Sequence, residues 1–190
     1  STFERSAVAL WMNPPCTEIS AIAFCRRTGT IASGGRDGSI GLWKISNPHS
    51  DTHDSGDYSH GHAEGSTILP FAVLCGHHSE PISCMVCVIE SGLSKDGSRE
   101  RNVLVSSDLS SCMCVWSLDD GVCLRVCRST LAWGPTNMVN VSCKGKTLVA
   151  AAGSSPDIEV VEVGRLRRTV RLFGHGAWCV ALAAREASPG

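Results

Sequence analysis

The chain has 190 residues, 43% of them hydrophobic, and a formal net charge of −1. That is enough apolar material for one ordinary domain with a core, and the near-neutral balance gives no overall electrostatic drive toward nucleic acid or a membrane surface. No apolar run reaches the roughly 18 residues of a membrane-spanning helix, and the polar opening Ser1-Thr2-Phe3-Glu4-Arg5 does not read as a secretory signal.

Residues 8–12 read as a lone strand that stops at Pro14-Pro15. Three strands follow over 19–24, 30–33 and 39–45. The last two are joined by a tight turn carrying Asp37-Gly38, a strong hairpin signal because glycine tolerates positive φ. A fourth strand is displaced to 68–75 by residues 46–67, a stretch rich in Ser, Gly, His and Asp. Its poverty in apolar residues predicts a mobile surface loop, since little buried area would offset the entropy of ordering it.

The arrangement then repeats. Strands are predicted over 82–89, 103–106, 113–118 and 122–126, with a polar insertion from Ser91 to Arg101 and a turn at Asp119-Asp120-Gly121. A third set spans 138–142, 147–151, 158–163 and 166–173, turning at Lys144-Gly145-Lys146 and Gly164-Arg165. Gly174-His175 leads into a last strand over 178–183, the opening of a further, truncated unit. The layout is a lone strand (1–15), three four-stranded units (16–75, 76–128, 129–173) and the start of another (174–190). Trp116 and Val161, which close equivalent strands, are 45 residues apart, within the repeat length of propeller blades. Three units do not close a ring of four to eight, so the chain reads as part of something longer.

Gly76-His77, Ser106 and Trp116 stand in the order found in WD40 repeats, as do Ser33, Asp37 and Trp43 one unit earlier; Gly174-His175 opens a further unit. The chain resembles the WD40 family over nearly its whole length. The resemblance implies an all-β propeller, here partial, in which histidine, strand serine, turn aspartate and tryptophan form a buried hydrogen-bonded tetrad. Ser33, Asp37, Trp43, His77, Ser106, Trp116 and His175 are the expected structural repeat residues. The repeats are degenerate: no Gly-His precedes Ile19, Ser110 falls where Asp37 falls in the first unit, and Ser155 and Val161 replace Asp and Trp in the third.

A narrower resemblance rests on Ala9-Leu10-Trp11 with Pro14-Pro15, the Gly-Arg-Asp-Gly turn, Leu74-Cys75-Gly76-His77, Cys114-Val115-Trp116-Ser117 and the third unit without tryptophan. These features are similar to the amino-terminal propeller of rabconnectin-3 beta subunits. That resemblance implies a non-catalytic cytoplasmic scaffold, peripheral on vesicles, partnered by a rabconnectin-3 alpha-type subunit and linked to assembly of the proton-pumping V-ATPase. The alternatives are a WD40 adaptor of another class, such as a ubiquitin-ligase substrate receptor, or a metal-binding protein using the histidine-rich stretch.

That stretch, residues 49–62, holds four of the seven histidines, among them His53, His60 and His62. It lacks the framework of a known metal motif, and a solvated loop is expected. The eleven cysteines lie mostly in apolar strand-like runs and read as reduced cytosolic thiols. Cys84 and Cys87 with Cys112 and Cys114 do not make a zinc ribbon, because residues i and i+3 of a strand point to opposite faces; buried fillers are expected, and no metal or cofactor. The basic run from Arg165 to Arg171 reads as a solvated outer edge. No nucleophile elbow, phosphate loop or His-Glu zinc motif gives a catalytic residue to nominate.

Overall fold

A computed structural model describes residues 18–44, 70–91, 100–129, 134–143 and 145–184. The expected strand at 8–12, the loop at 46–66 and its histidines lie outside the described residues, as do Lys144 and most of the 91–101 insertion. Among the described residues twelve strands form three four-stranded antiparallel sheets, each a simple meander. The first holds β1 (Ile19–Cys25), β2 (Thr30–Gly35), β3 (Ile40–Lys44) and β4 (Ala72–Leu74). The second holds β5 (Ile82–Ser91), β6 (Glu100–Asp108), β7 (Cys112–Ser117) and β8 (Cys123–Arg128). The third holds β9 (Pro135–Asn140), β10 (Leu148–Gly153), β11 (Ser155–Glu162) and β12 (Arg167–Leu172).

The second sheet is packed on both faces, and its sequence shows why. Along its central strands one parity (Val103, Val105, Met113, Val115) packs against Met138, Val149, Ala151, Val161 and Val163 of the third unit. The other parity (Leu104, Cys114, Trp116) packs against Ala23, Ala32, Ile40, Leu42 and Leu74 of the first. A strand buried on both faces must be apolar at successive residues, which accounts for the unbroken Val103-Leu104-Val105 and Met113-Cys114-Val115-Trp116. Cys84 faces the third sheet and Cys87 the first, the divergence expected of i and i+3.

The inner strands β1, β5 and β9 lie side by side, and one device joins them. Each has an irregular register at its start, skipping Ser20, Ser83 and Thr136. The bulged serines use their hydroxyls across the unit boundary: Ser20 Oγ donates to the Ile82 carbonyl (2.7 Å) and Ser83 Oγ to that of Pro135 (2.6 Å). Close approach at the first boundary also requires a missing side chain. A Cβ on Gly34 would stand 2.6 Å from Cγ2 and 2.7 Å from Cβ of Ile82.

Two expectations are corrected. Residues 178–183 are not a strand; Trp178 is 67% exposed, and the backbone there is held by the Cys179 N–H to the Ser155 carbonyl at 3.2 Å. An inner strand is paired by the second strand of its own sheet, and the described residues supply none. Trp43, which a buried tetrad would enclose, is only half-buried. Its side of the first sheet, shared with exposed Ile22 and Phe24, has no neighbouring sheet among the described residues.

Candidate functional site

The polar chemistry of the fold concentrates at the boundary of the first and second sheets. Leu104 pairs with Trp116 and Ser106 with Cys114, so Trp116 and Ser106 share a face one pair apart. The indole leans along the strand and its Nε1–H donates to Ser106 Oγ at 2.8 Å. The Ser106 hydroxyl meets His78 Nε2 at 2.7 Å, and His78 Nδ1 meets Asp108 Oδ2 at 3.1 Å. With the carboxylate as acceptor, Nδ1 carries the ring proton and Nε2 accepts from the hydroxyl. Asp108 Oδ1 accepts from the Ser110 N–H (2.9 Å), the Ser110 hydroxyl (2.7 Å) and the Cys112 N–H (3.0 Å), closing the β6–β7 turn. Burying these groups is tolerable because each is satisfied within the network.

Electrostatics follow from that burial. Desolvation lowers the pKa of His78 despite the neighbouring carboxylate, so the neutral ring is favoured. Burial works the other way on Asp108, but hydrogen bonds from Ser110, Cys112 and His78 outweigh it and hold the carboxyl below its usual range. Desolvation pushes thiols up, buried Cys84 and half-buried Cys87 each to about 12. The described cysteines are all free.

Ser106 and Trp116 meet, and so do Ser33 and Trp43, whose Nε1–H donates to Ser33 Oγ at 2.7 Å. The histidine of the network is His78, not His77. His77 is exposed; its ring sits edge-on to Trp116 at 5.4 Å and its carbonyl accepts from the Cys112 thiol at 3.5 Å. Gly76, at φ +88°, turns the chain so that the second histidine enters the boundary. The aspartate is Asp108, two residues ahead of the position that Asp37 suggests. Asp37 itself caps its own turn, accepting from the Ser39 N–H (3.0 Å) and hydroxyl (2.7 Å), and does not reach Ser33 or Trp43. His175 is exposed and joins no such network.

The third unit solves the same position differently. Ala151 and Val161 stand where Ser106 and Trp116 stand in the second, and both pack into the core. Donor and acceptor are lost together, which leaves no orphaned polar group. The buried polar group there is Glu159, which accepts from Ser129 Oγ at 2.7 Å and faces Arg168 at 3.6 Å. Of the basic run, Arg167 to Arg171 lie on β12, whose residues are all exposed; Arg165 is exposed in the turn before it, Leu166 is buried in the core, and Arg171 pairs with Asp157.

A second feature is an open concavity of about 380 Å³ at the ends of β1, β5 and β9, lined by Phe24, Arg26, Arg27, Ile89 and Asn140 among others. Arg27 pairs with Glu100. Phe24 is 52% exposed, so the hollow combines an apolar ring with two guanidinium groups. Sequence reasoning did not single it out, because its walls come from three separate units.

No family model and no curated protein matches the sequence. Solved structures do match it. The crystal structure of the RRP9 WD40 repeats and the structure of U3-55K each superimpose with a TM-score of 0.59 at 16% identity, over 88% of this chain and 42% of theirs. The chain has the fold of a partial WD40 propeller and spans less than half the length of these chains.

Proposed function

We propose that the chain is a non-catalytic protein-binding segment of a WD40 propeller, its three blades at 16–75, 76–128 and 129–173, and that it belongs to a rabconnectin-3 beta-type scaffold. The observation that carries a binding role is the concavity at the ends of the inner strands. It joins an exposed aromatic ring to arginines on a frame of paired strands, and aromatic and arginine side chains are what protein interfaces favour. The finer assignment rests on the sequence features from Ala9-Leu10-Trp11 to the third blade without tryptophan. The partners it implies are an alpha-type subunit and the V-ATPase, at the cytoplasmic face of vesicles. No helix among the described residues is long and apolar enough to cross a membrane.

The test is co-elution of the purified 190-residue chain with a purified rabconnectin-3 alpha-type subunit. We expect a complex that Arg26→Glu and Phe24→Asp each weaken while the circular dichroism of the chain is unchanged. A folded chain that binds neither the alpha-type subunit nor V-ATPase subunits would overturn the scaffold assignment. Binding untouched by both substitutions would overturn the choice of surface.

A further inference from the structure

Cys112 and Cys114 open β7 as residues i and i+2, so both thiols project from one face of the strand. Their sulfurs lie 4.0 Å apart. Two thiolates on one tetrahedral zinc, each at about 2.3 Å, stand roughly 3.8 Å apart. An imidazole nitrogen of His78, delivered by the turn after Gly76, completes the group, and the three ligand atoms lie within 4.8 Å of one another. Pairing these cysteines with Cys84 and Cys87 fails, because Cys84 faces the other boundary. The histidine comes instead from a segment far away in sequence.

We propose that His78, Cys112 and Cys114 form a binding site for a thiophilic divalent cation of the zinc class. The donor set favours this class, since two thiolates and one imidazole match borderline-soft ions better than calcium or magnesium. Charge balance favours it too. A divalent ion with two thiolates and a neutral imidazole has no net charge, which lowers the cost of burying it. Each thiol surrenders its proton to solvent as its sulfur takes the metal. Half-buried Cys112 gives the ion access from solvent.

The second shell is already in place. Asp108 holds His78 Nδ1, and a carboxylate on one nitrogen of a ligating histidine sets its tautomer and orients the ring. We therefore assign Nε2 to the metal, which takes the lone pair that the Ser106 hydroxyl now uses at 2.7 Å. Trp116, hydrogen-bonded to Ser106 and within 6.2 Å of the His78 ring, senses that exchange. The fourth ligand is water, which keeps the site neutral.

The experiment uses the full 190-residue chain, reduced and stripped of metal, titrated with Co²⁺ and then Zn²⁺. We expect one equivalent of Co²⁺ to produce a thiolate-to-cobalt charge-transfer absorption with the intense visible bands of a tetrahedral site, displaced by Zn²⁺, together with a change in tryptophan fluorescence. Cys112→Ala, at a half-buried position, and Cys114→Val should each abolish the charge-transfer band and weaken binding by more than about tenfold, the least that loss of even an outer-shell partner costs. Cys143→Ala, exposed and in the third unit, should leave both unchanged. Zn²⁺ should raise the thermal midpoint of the unsubstituted chain and not that of Cys112→Ala. A folded chain that binds no Co²⁺ stoichiometrically, a charge-transfer band that survives Cys112→Ala, or binding without thiolate bands that follows His53, His60 and His62 would each overturn the proposal.

Discussion

His78 Nε2 lies 2.7 Å from Ser106 Oγ, and through that contact a residue from the connection between two blades becomes part of the core of the second. The ring spans from Asp108 at the β6–β7 turn to the Ser106–Trp116 pair mid-sheet, so the network links the turn, two strands and the inter-blade connection. Removing the ring would strand both an aspartate and a serine that are fully buried.

The two adjacent histidines should therefore behave oppositely. His78→Ala is expected to destabilise the chain by about 2–4 kcal/mol, from unsatisfied buried partners and a small cavity. His77→Ala, at an exposed ring, should be close to neutral. Urea denaturation followed by tryptophan fluorescence checks this, and equal effects would mean that the network is misassigned.

The two serine–tryptophan pairs differ in burial, and that difference is measurable. Ser106→Ala should cost about 1–3 kcal/mol, because the Trp116 N–H and His78 lose a partner where water does not replace it. Ser33→Ala should cost less, about 0.5–1.5 kcal/mol, since half-buried Trp43 can turn its N–H to solvent. Replacing both Ser106 by Ala and Trp116 by Val, which copies the third blade, should cost less than the sum of the single changes. Equilibrium unfolding of Ser106→Ala, Ser33→Ala, Trp116→Val and the double variant reads both comparisons.

Gly34 tests the boundary between blades. A methyl group there meets Ile82 at 2.6–2.7 Å, and crowding of this kind costs about 1–3 kcal/mol. Gly34→Ala should lower the thermal midpoint, and Ile82→Val in the same chain should recover none of the loss, because valine keeps the Cβ and both Cγ carbons that the new methyl meets. Gly176→Ala, with nothing within 4 Å of the added carbon, is the matched control and should have little effect.

Thiol reactivity should divide by burial. Cys75 and Cys143 are exposed, while burial has raised Cys84 and Cys87 to about 12. At pH 8 the last two would hold only about one part in ten thousand as the reactive thiolate. Iodoacetamide labelling followed by peptide mass spectrometry should modify Cys75 and Cys143 first, half-buried Cys87 slowly, and buried Cys84 only on unfolding. Early labelling of Cys84 would contradict its place between the second and third sheets.

The repeat itself was legible in the sequence, and for local reasons. Asp37-Gly38 between two apolar runs can make little other than a hairpin, and the strand Ser106-to-Trp116 spacing places both residues on one face of neighbouring strands whatever lies around them. Which of His77 and His78 enters the core was not legible, because the choice depends on where the chain points after Gly76 and on a pocket built by β6 and β7. The half-exposure of Trp43 and the unpaired path of residues 178–183 have the same origin, since burial and strand pairing are supplied by neighbours rather than by the segment itself. The meeting of His78 with Cys112 and Cys114 is of this kind as well. Strand periodicity puts the two thiols on one face, but only the packing of one blade on the next brings the imidazole to them.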